Sequence, residues 1–220
     1  MQKVKVAIDG PVSSGKSSVG SEVADRLGFL FIDTGLMYRA VAWKIQKVFG
    51  SPKDWGKIAE QIKFDWKGTP SKPKMFADNQ DVGEALFYPE ISLLSSRIAT
   101  ESQVRKALVE KQREMAKPGG VVMVGRDIAT VVLPDAEVKI FLTASTEVRA
   151  MRRFSELTEK GSDLTFDQVK NELEERDKID TTRVDSPLRP AEDSVIVDST
   201  HLSFEEVVLA MTKAVKSKIG

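Results

Sequence analysis

The chain has no cysteine in its 220 residues. That removes disulfides, thiolate nucleophiles and every cysteine-ligated metal or iron–sulfur site. A single histidine, His201, excludes multi-histidine metal centres and leaves one partner for a nucleophilic serine. Neither sign of charge is in excess, since 33 Lys and Arg stand against 33 Asp and Glu. A protein that coats a polyanion needs a cationic surplus, so nucleic acid is not an expected partner, although a local basic pocket stays open. No stretch reaches the roughly 18 apolar residues of a membrane span. The opening segment alternates charge and has no apolar run of the signal-peptide kind. A cytoplasmic location without a membrane partner is therefore expected. The chemistry is left to Lys, Arg, Asp, Glu, Ser, Thr and backbone amides.

Hydrophobic residues make up 41% of the chain and charged residues 30%, the balance of a globular protein with room for a sizeable core. Short β-branched or wholly apolar runs predict strands at residues 4–8, 29–32, 121–124, 138–142 and 195–197. Between them, apolar residues recur at helical spacing, as in Val19, Val23 and Leu27 closed by Gly28. Further helices are expected near 35–49, 54–62, 89–99, 102–117, 145–160, 165–182 and 204–217. Strands alternating with helices predict an α/β domain with a doubly wound, five-stranded parallel sheet. Residues 64–87 read differently, because Gly68, Pro70, Ser71 and Pro73 mark turns between short extended pieces. They are expected to form a small β-rich insert on one domain spanning 1–220.

The most informative motif is Gly10-Pro11-Val12-Ser13-Ser14-Gly15-Lys16-Ser17, a Gly, four residues, Gly-Lys and Ser. Its glycines let the backbone curl so that successive N–H groups converge on phosphate oxygens, and the following helix adds its positive end. Lys16 would face the β- and γ-phosphates of a nucleoside triphosphate such as ATP. A hydroxyl from Ser17 or Ser18 would help hold Mg²⁺. Its carboxylate partner could be Asp33 or Asp127, each of which follows an apolar strand.

The acceptor has to be read from elsewhere. Residues just past the strand ends border the ligand crevice of a doubly wound sheet. Thr34, Gly35 and Arg39 lie there after the second strand, and Gly125-Arg126-Asp127 after the third. Arg176, Asp180 and Arg183 are spaced i, i+4 and i+7, as on one helical face. Arg149, Arg152 and Arg153 form a further group after the fourth strand.

In this order the residues resemble one family closely. Ile8-Asp9-Gly10-Pro11 into the phosphate loop, Asp33-Thr34-Gly35 with Tyr38-Arg39, Gly125-Arg126-Asp127 with Pro134-Asp135-Ala136, and Glu175-Arg176-Asp177 with Asp180 and Arg183 are similar to bacterial cytidylate kinases. The resemblance implies a nucleoside monophosphate kinase fold with a monophosphate-binding insert at about 64–87 and a lid with Arg-rich helices at about 149–183. It implies transfer from ATP to CMP or dCMP with Mg²⁺, by a monomer. Ser96, Arg105 and Asp127 match the family's cytosine contacts, and Arg39, Arg126 and Arg183 its acceptor-phosphate contacts. Arg176 and Asp180 match sugar-side contacts, while Arg149, Arg152 and Arg153 fall in the lid. The assigned catalytic set is thus Lys16, Arg126, Asp127, Arg149, Arg153 and Arg183. The readings set against this one are a kinase of UMP, AMP or shikimate and a nucleotide-dependent switch. A serine hydrolase built on His201 is the third, and it lacks a Gly-X-Ser-X-Gly elbow.

Overall fold

The computed structural model describes residues 3–69 and 72–219. Along the chain, β1 (Lys5–Asp9) leads to α1 (Lys16–Leu27), β2 (Leu30–Asp33), α2 (Thr34–Lys47) and α3 (Trp55–Gln61). Three short strands follow, β3 (Phe64–Thr69), β4 (Lys72–Ala77) and β5 (Gln80–Asp81), and then α4 (Pro89–Ile98) and α5 (Ser102–Ala116). The chain continues through β6 (Val121–Gly125), a π-helical turn (Ile128–Val132), β7 (Val138–Thr143), α6 (Thr146–Glu159) and α7 (Phe166–Thr182). It ends in β8 (Val195–Asp198) and α8 (Phe204–Ile219).

The main sheet has the order β2-β6-β1-β7-β8, every neighbouring pair parallel. Successive strand residues point to opposite faces, and both faces are covered. Val6 and Ile8, Val122 and Val124, and Ile140 and Leu142 pack under α1 and α8, while Ala7, Ile32 and Met123 join the core made with α2 to α5. This is the expected five-stranded α/β sheet. The insert is a separate antiparallel sheet, β3-β4-β5, as its turn residues predicted. Two of those turn residues, Pro70 and Ser71, lie outside the described residues. Among the described residues, no helix is long and apolar enough to cross a membrane.

Local signals set the helix ends. Gly28 closes α1 in the left-handed region at φ 65°, and Asp33 accepts from the Leu36 amide at the start of α2. Ser145 caps α6, and Thr165 with Gln168 forms a reciprocal capping box on α7. The π-helical turn after β6 has no counterpart in the sequence expectations. With β1 flanked by β6 and β7, chain direction across the sheet reverses at its centre, and ligands enter such folds at the carboxyl ends of these strands.

Candidate active site

Gly10 leaves β1 at φ 154°, and a Cβ there would lie 2.0 Å from the Leu142 carbonyl oxygen, so no other residue fits. Ser13 (φ 58°) and Gly15 (φ 91°) complete the curl. The first amides of an α-helix lack intrahelical acceptors, and no side chain caps α1. The loop therefore presents free donors and a positive helix end. Lys16 folds back over it, donating to the Pro11 carbonyl (2.6 Å) and Ser14 Oγ (3.2 Å). It is 6% exposed, and burial, reinforced by nearby Arg126, holds its ammonium below the usual lysine range.

The hydroxyl of Ser17 donates to Asp33 Oδ2 at 2.5 Å. The other oxygen of Asp33 caps α2. Asp127 is engaged elsewhere, paired with Arg105 and 3.6 Å from Arg183 Nη2. Of the two candidate carboxylates and two candidate serines, Asp33 and Ser17 are the pair that meets at the phosphate loop.

Asp127 and Arg105, both buried, form a group beyond β6 with the partly buried Tyr38. Arg105 donates to Asp127 and, at 3.4 Å, to the Tyr38 hydroxyl. Burial alone would lower the Arg105 guanidinium, but Tyr38 and Asp127 outweigh it and hold it above the usual range. Burial pushes the Tyr38 phenol up to about 12. Arg183 adds a buried Nη2 with no hydrogen-bond partner among the described residues. Its Nε donates to the Ser186 carbonyl at 2.6 Å. Ser96, on the neighbouring α4, turns its hydroxyl to the Ser92 carbonyl at 3.2 Å.

A second group of arginines gathers around Arg126, the residue before Asp127. Arg126 Nε binds Asp180 Oδ2 at 2.7 Å. Arg176, one turn earlier on α7, has no hydrogen bond or ion pair among the described residues. Burial, with Arg126 beside it, lowers its guanidinium to about 10. Arg39 donates to the Leu86 carbonyl, lies over the Phe87 ring at 5.4 Å, and is also lowered by burial. Arg126 acts electrostatically on Lys16, Arg39 and Arg176, and Arg153 on Arg39 and Arg176, so their charges lie near one another. Clustered, partly desolvated guanidiniums without enough carboxylates fit phosphate oxygens.

The structure separates some residues that sequence spacing grouped. α7 ends at Thr182, and Arg183 follows in extended backbone, so only Arg176 and Asp180 share the helical face. Arg149 is buried behind the phosphate loop, bound to Asp177 (2.6 Å), the Ala144 and Val12 carbonyls and Thr146. It ties that loop to α7. Arg152 bonds to Ser199 and the Ser14 carbonyl, whereas Arg153 pairs with Glu156 on the crevice side. Thr34 is buried, with its hydroxyl donating to the Val124 carbonyl at 2.9 Å. Gly35 follows it in the first turn of α2.

Sequence reasoning gave no role to Asp177, which also accepts from the Val12 amide, or to Asp9, whose carboxylate accepts from Ile128 and Ala129. Asp9 ends a buried strand beside the phosphate loop, a placement that could have marked it.

The family model described as cytidylate kinase matches residues 6–217. A cytidylate kinase from Caldicellulosiruptor bescii is 47% identical over 211 residues, covering 94% of this chain and 93% of that one. Another, from Lactiplantibacillus plantarum, is 45% identical over 220 residues, covering 99% and 96%. Among solved structures, an uncharacterized protein from Eubacterium ventriosum aligns with a TM-score of 0.55 at 11% identity, over 98% of this chain and 99% of that one. Shikimate kinase from Bacteroides thetaiotaomicron aligns at 0.50 and 15% identity, over 97% and 98%. At such identities these two speak for the fold alone. On its full-length sequence match, the chain belongs to the cytidylate kinase family.

Proposed function

We propose that the chain transfers the γ-phosphoryl group of ATP to CMP or dCMP, giving ADP and CDP or dCDP. The observation that carries this reading is the buried Asp127–Arg105 pair just past the end of β6, the strand beside the one that leads into the phosphate loop. A carboxylate accepts from the cytosine amino group, and a guanidinium donates to the ring carbonyl and nitrogen. Uracil presents a carbonyl where cytosine has its amino group, so the carboxylate selects against it.

In this reading Gly10 to Ser18 cradle the donor phosphates, and Lys16 follows the charge that develops on the transferred group. Arg39, Arg126 and Arg183 hold the acceptor phosphate, while Arg176 and Asp180 approach its sugar. Thr34 and Gly35 line the acceptor side at the start of α2, and Ser96 approaches the base from α4. Arg153 enters from α6, in the segment read as the lid, whereas Arg149 acts by holding the phosphate loop. The region near 64–87 is read as the monophosphate-binding insert. Phosphoryl transfer asks the protein mainly for alignment and charge neutralisation, which these residues supply.

Mg²⁺ suits the site, because Ser17 Oγ and Asp33 Oδ2 are adjacent hard oxygen donors at the phosphate loop. Mg²⁺ is usually bound by one or two protein oxygens, with phosphates and water completing its shell. Bound there, the ion would neutralise phosphate charge; the alignment of donor and acceptor comes from the arginines and loop amides. The test is ADP release from ATP with and without CMP. A steep rise on adding CMP is expected, and equal rates would refute acceptor-coupled transfer.

A further inference from the structure

We infer that Asp9 is a positioning residue for acceptor recognition, holding the turn that presents Arg126 and Asp127. The inference rests on the reading of Asp127 as the base contact. Asp9 is the last residue of β1, next to Gly10 of the phosphate loop, and is 1% exposed. Its Oδ1 accepts from the Ile128 amide and its Oδ2 from the Ala129 amide, both at 2.8 Å. These are the first two amides of the π-helical turn.

The amides at a helix start need acceptors, and the residue before the helix usually supplies one from its side chain. Here that residue is Asp127, a type well suited to the task, yet it makes no capping bond. Its carboxylate is given to Arg105 and lies beside Arg183. Asp9, 119 residues before Ile128 in the chain, takes over the capping role. The exchange leaves the Asp127 carboxylate to Arg105 and Arg183. At the other end, Arg113 donates to the Val131 and Val132 carbonyls, so the turn is pinned on both sides.

A structural filler would not need a carboxylate in this place. Asp9 has no ion pair among the described residues, and burying such a group against neutral amides is costly. Burial pushes its carboxyl up to about 6. Both of its oxygens are engaged by amides of the turn. Its place also links the two halves of the site. One residue ends the strand that starts the phosphate loop and anchors the turn that reads the acceptor.

The test compares Asp9→Asn and Asp127→Ala in the full chain. The Michaelis constants for CMP, UMP and ATP are each measured at saturating co-substrate. Asparagine keeps the volume and one acceptor but sets an NH₂ group against an amide donor. Asp9→Asn is expected to raise KM for CMP about tenfold, as for loss of one buried charge-assisted hydrogen bond. Selectivity for CMP over UMP should fall with it, while KM for ATP stays within about twofold. A purely structural role would move all three together, and that result would overturn the inference. A harmful Asp127→Ala beside a harmless Asp9→Asn would remove this inference alone. A harmless Asp127→Ala would remove the base reading and this inference with it. Should Asp9→Asn fail to fold, amide exchange on the unaltered enzyme decides. Slow exchange at Ile128 and Ala129, like that of the sheet core, supports the clamp, and loop-like exchange refutes it.

Discussion

Replacing Asp127 with asparagine isolates charge from shape at the proposed base contact. The side chain is buried, paired with Arg105 and 3.6 Å from Arg183 Nη2. Asparagine fills the same volume, but its NH₂ group meets the cytosine amino group donor to donor. A hydrogen bond to a charged group contributes about 1.5–3 kcal/mol. Its loss corresponds to a fall of about 10- to 150-fold in kcat/KM for CMP. The same NH₂ group can donate to the uracil carbonyl, so UMP should lose less or gain. The ratio of CMP to UMP use then drops by more than CMP use alone. Coupled ADP release with CMP, dCMP and UMP at fixed ATP and Mg²⁺ measures all three. KM for ATP should hold, because among the described residues no hydrogen bond or ion pair joins Asp127 to the phosphate loop. Equal losses for CMP and UMP, or a parallel loss in ATP affinity, would refute the assignment.

Lys16→Met should lower kcat by about 10²- to 10³-fold, the usual effect of removing one preorganised cationic partner of a transition state. An unchanged kcat in steady-state assays would place the transferred phosphate elsewhere. Asp33→Asn and Ser17→Ala should each raise the Mg²⁺ concentration needed for half-maximal rate, and an unchanged Mg²⁺ titration in both would remove them as its holders. Arg149→Ala strands Asp177 and frees Val12, so it should cost about 3 kcal/mol and lower Tm by about 6–12 °C; a shift near zero by calorimetry would contradict the fastening role. Asp9 carries its own pH signature, because its folded carboxyl sits at about 6, above the ordinary 3.8. The cost of burying its charge is present above pH 6 and is relieved as pH falls toward 4. Relative to Asp9→Asn, the unaltered chain should therefore gain about 2 kcal/mol on acidification from pH 7.5 to 4.5, read by denaturant unfolding. A difference independent of pH would refute it.

Much of the framework was written in local patterns. The buried runs at 4–8, 121–124 and 138–142 could be read as parallel strands because both faces of the sheet are covered. Gly10 and Gly15 revealed the phosphate loop because its curl excludes side chains at those points. The insert showed itself through turn residues, since antiparallel strands need tight reversals. The direction of individual guanidiniums was beyond reach, because it depends on partners distant in the chain. Arg149 and Arg153 share one helix, yet the first is tied to Asp177 and the Val12 carbonyl while the second pairs with Glu156 near Arg39 and Arg176. The π-helical turn was hidden for a related reason. Ile128, Thr130, Val131 and Val132 are all β-branched, poor signals for a helix, and the acceptor that caps their turn comes from Asp9 on another strand. The choice between Asp33 and Asp127 for the metal was likewise set by neighbours, Ser17 for the one and Arg105 for the other.

The reading of Asp127 and Arg105 as a cytosine-selecting pair is tested most directly by an acceptor panel. CMP, dCMP, UMP, AMP and shikimate are supplied separately with ATP and Mg²⁺, and initial rates of ADP formation are compared. CMP and dCMP should be used with the highest kcat/KM, with UMP well behind and AMP and shikimate near the acceptor-free rate. Comparable use of UMP, or preference for AMP or shikimate, would contradict it.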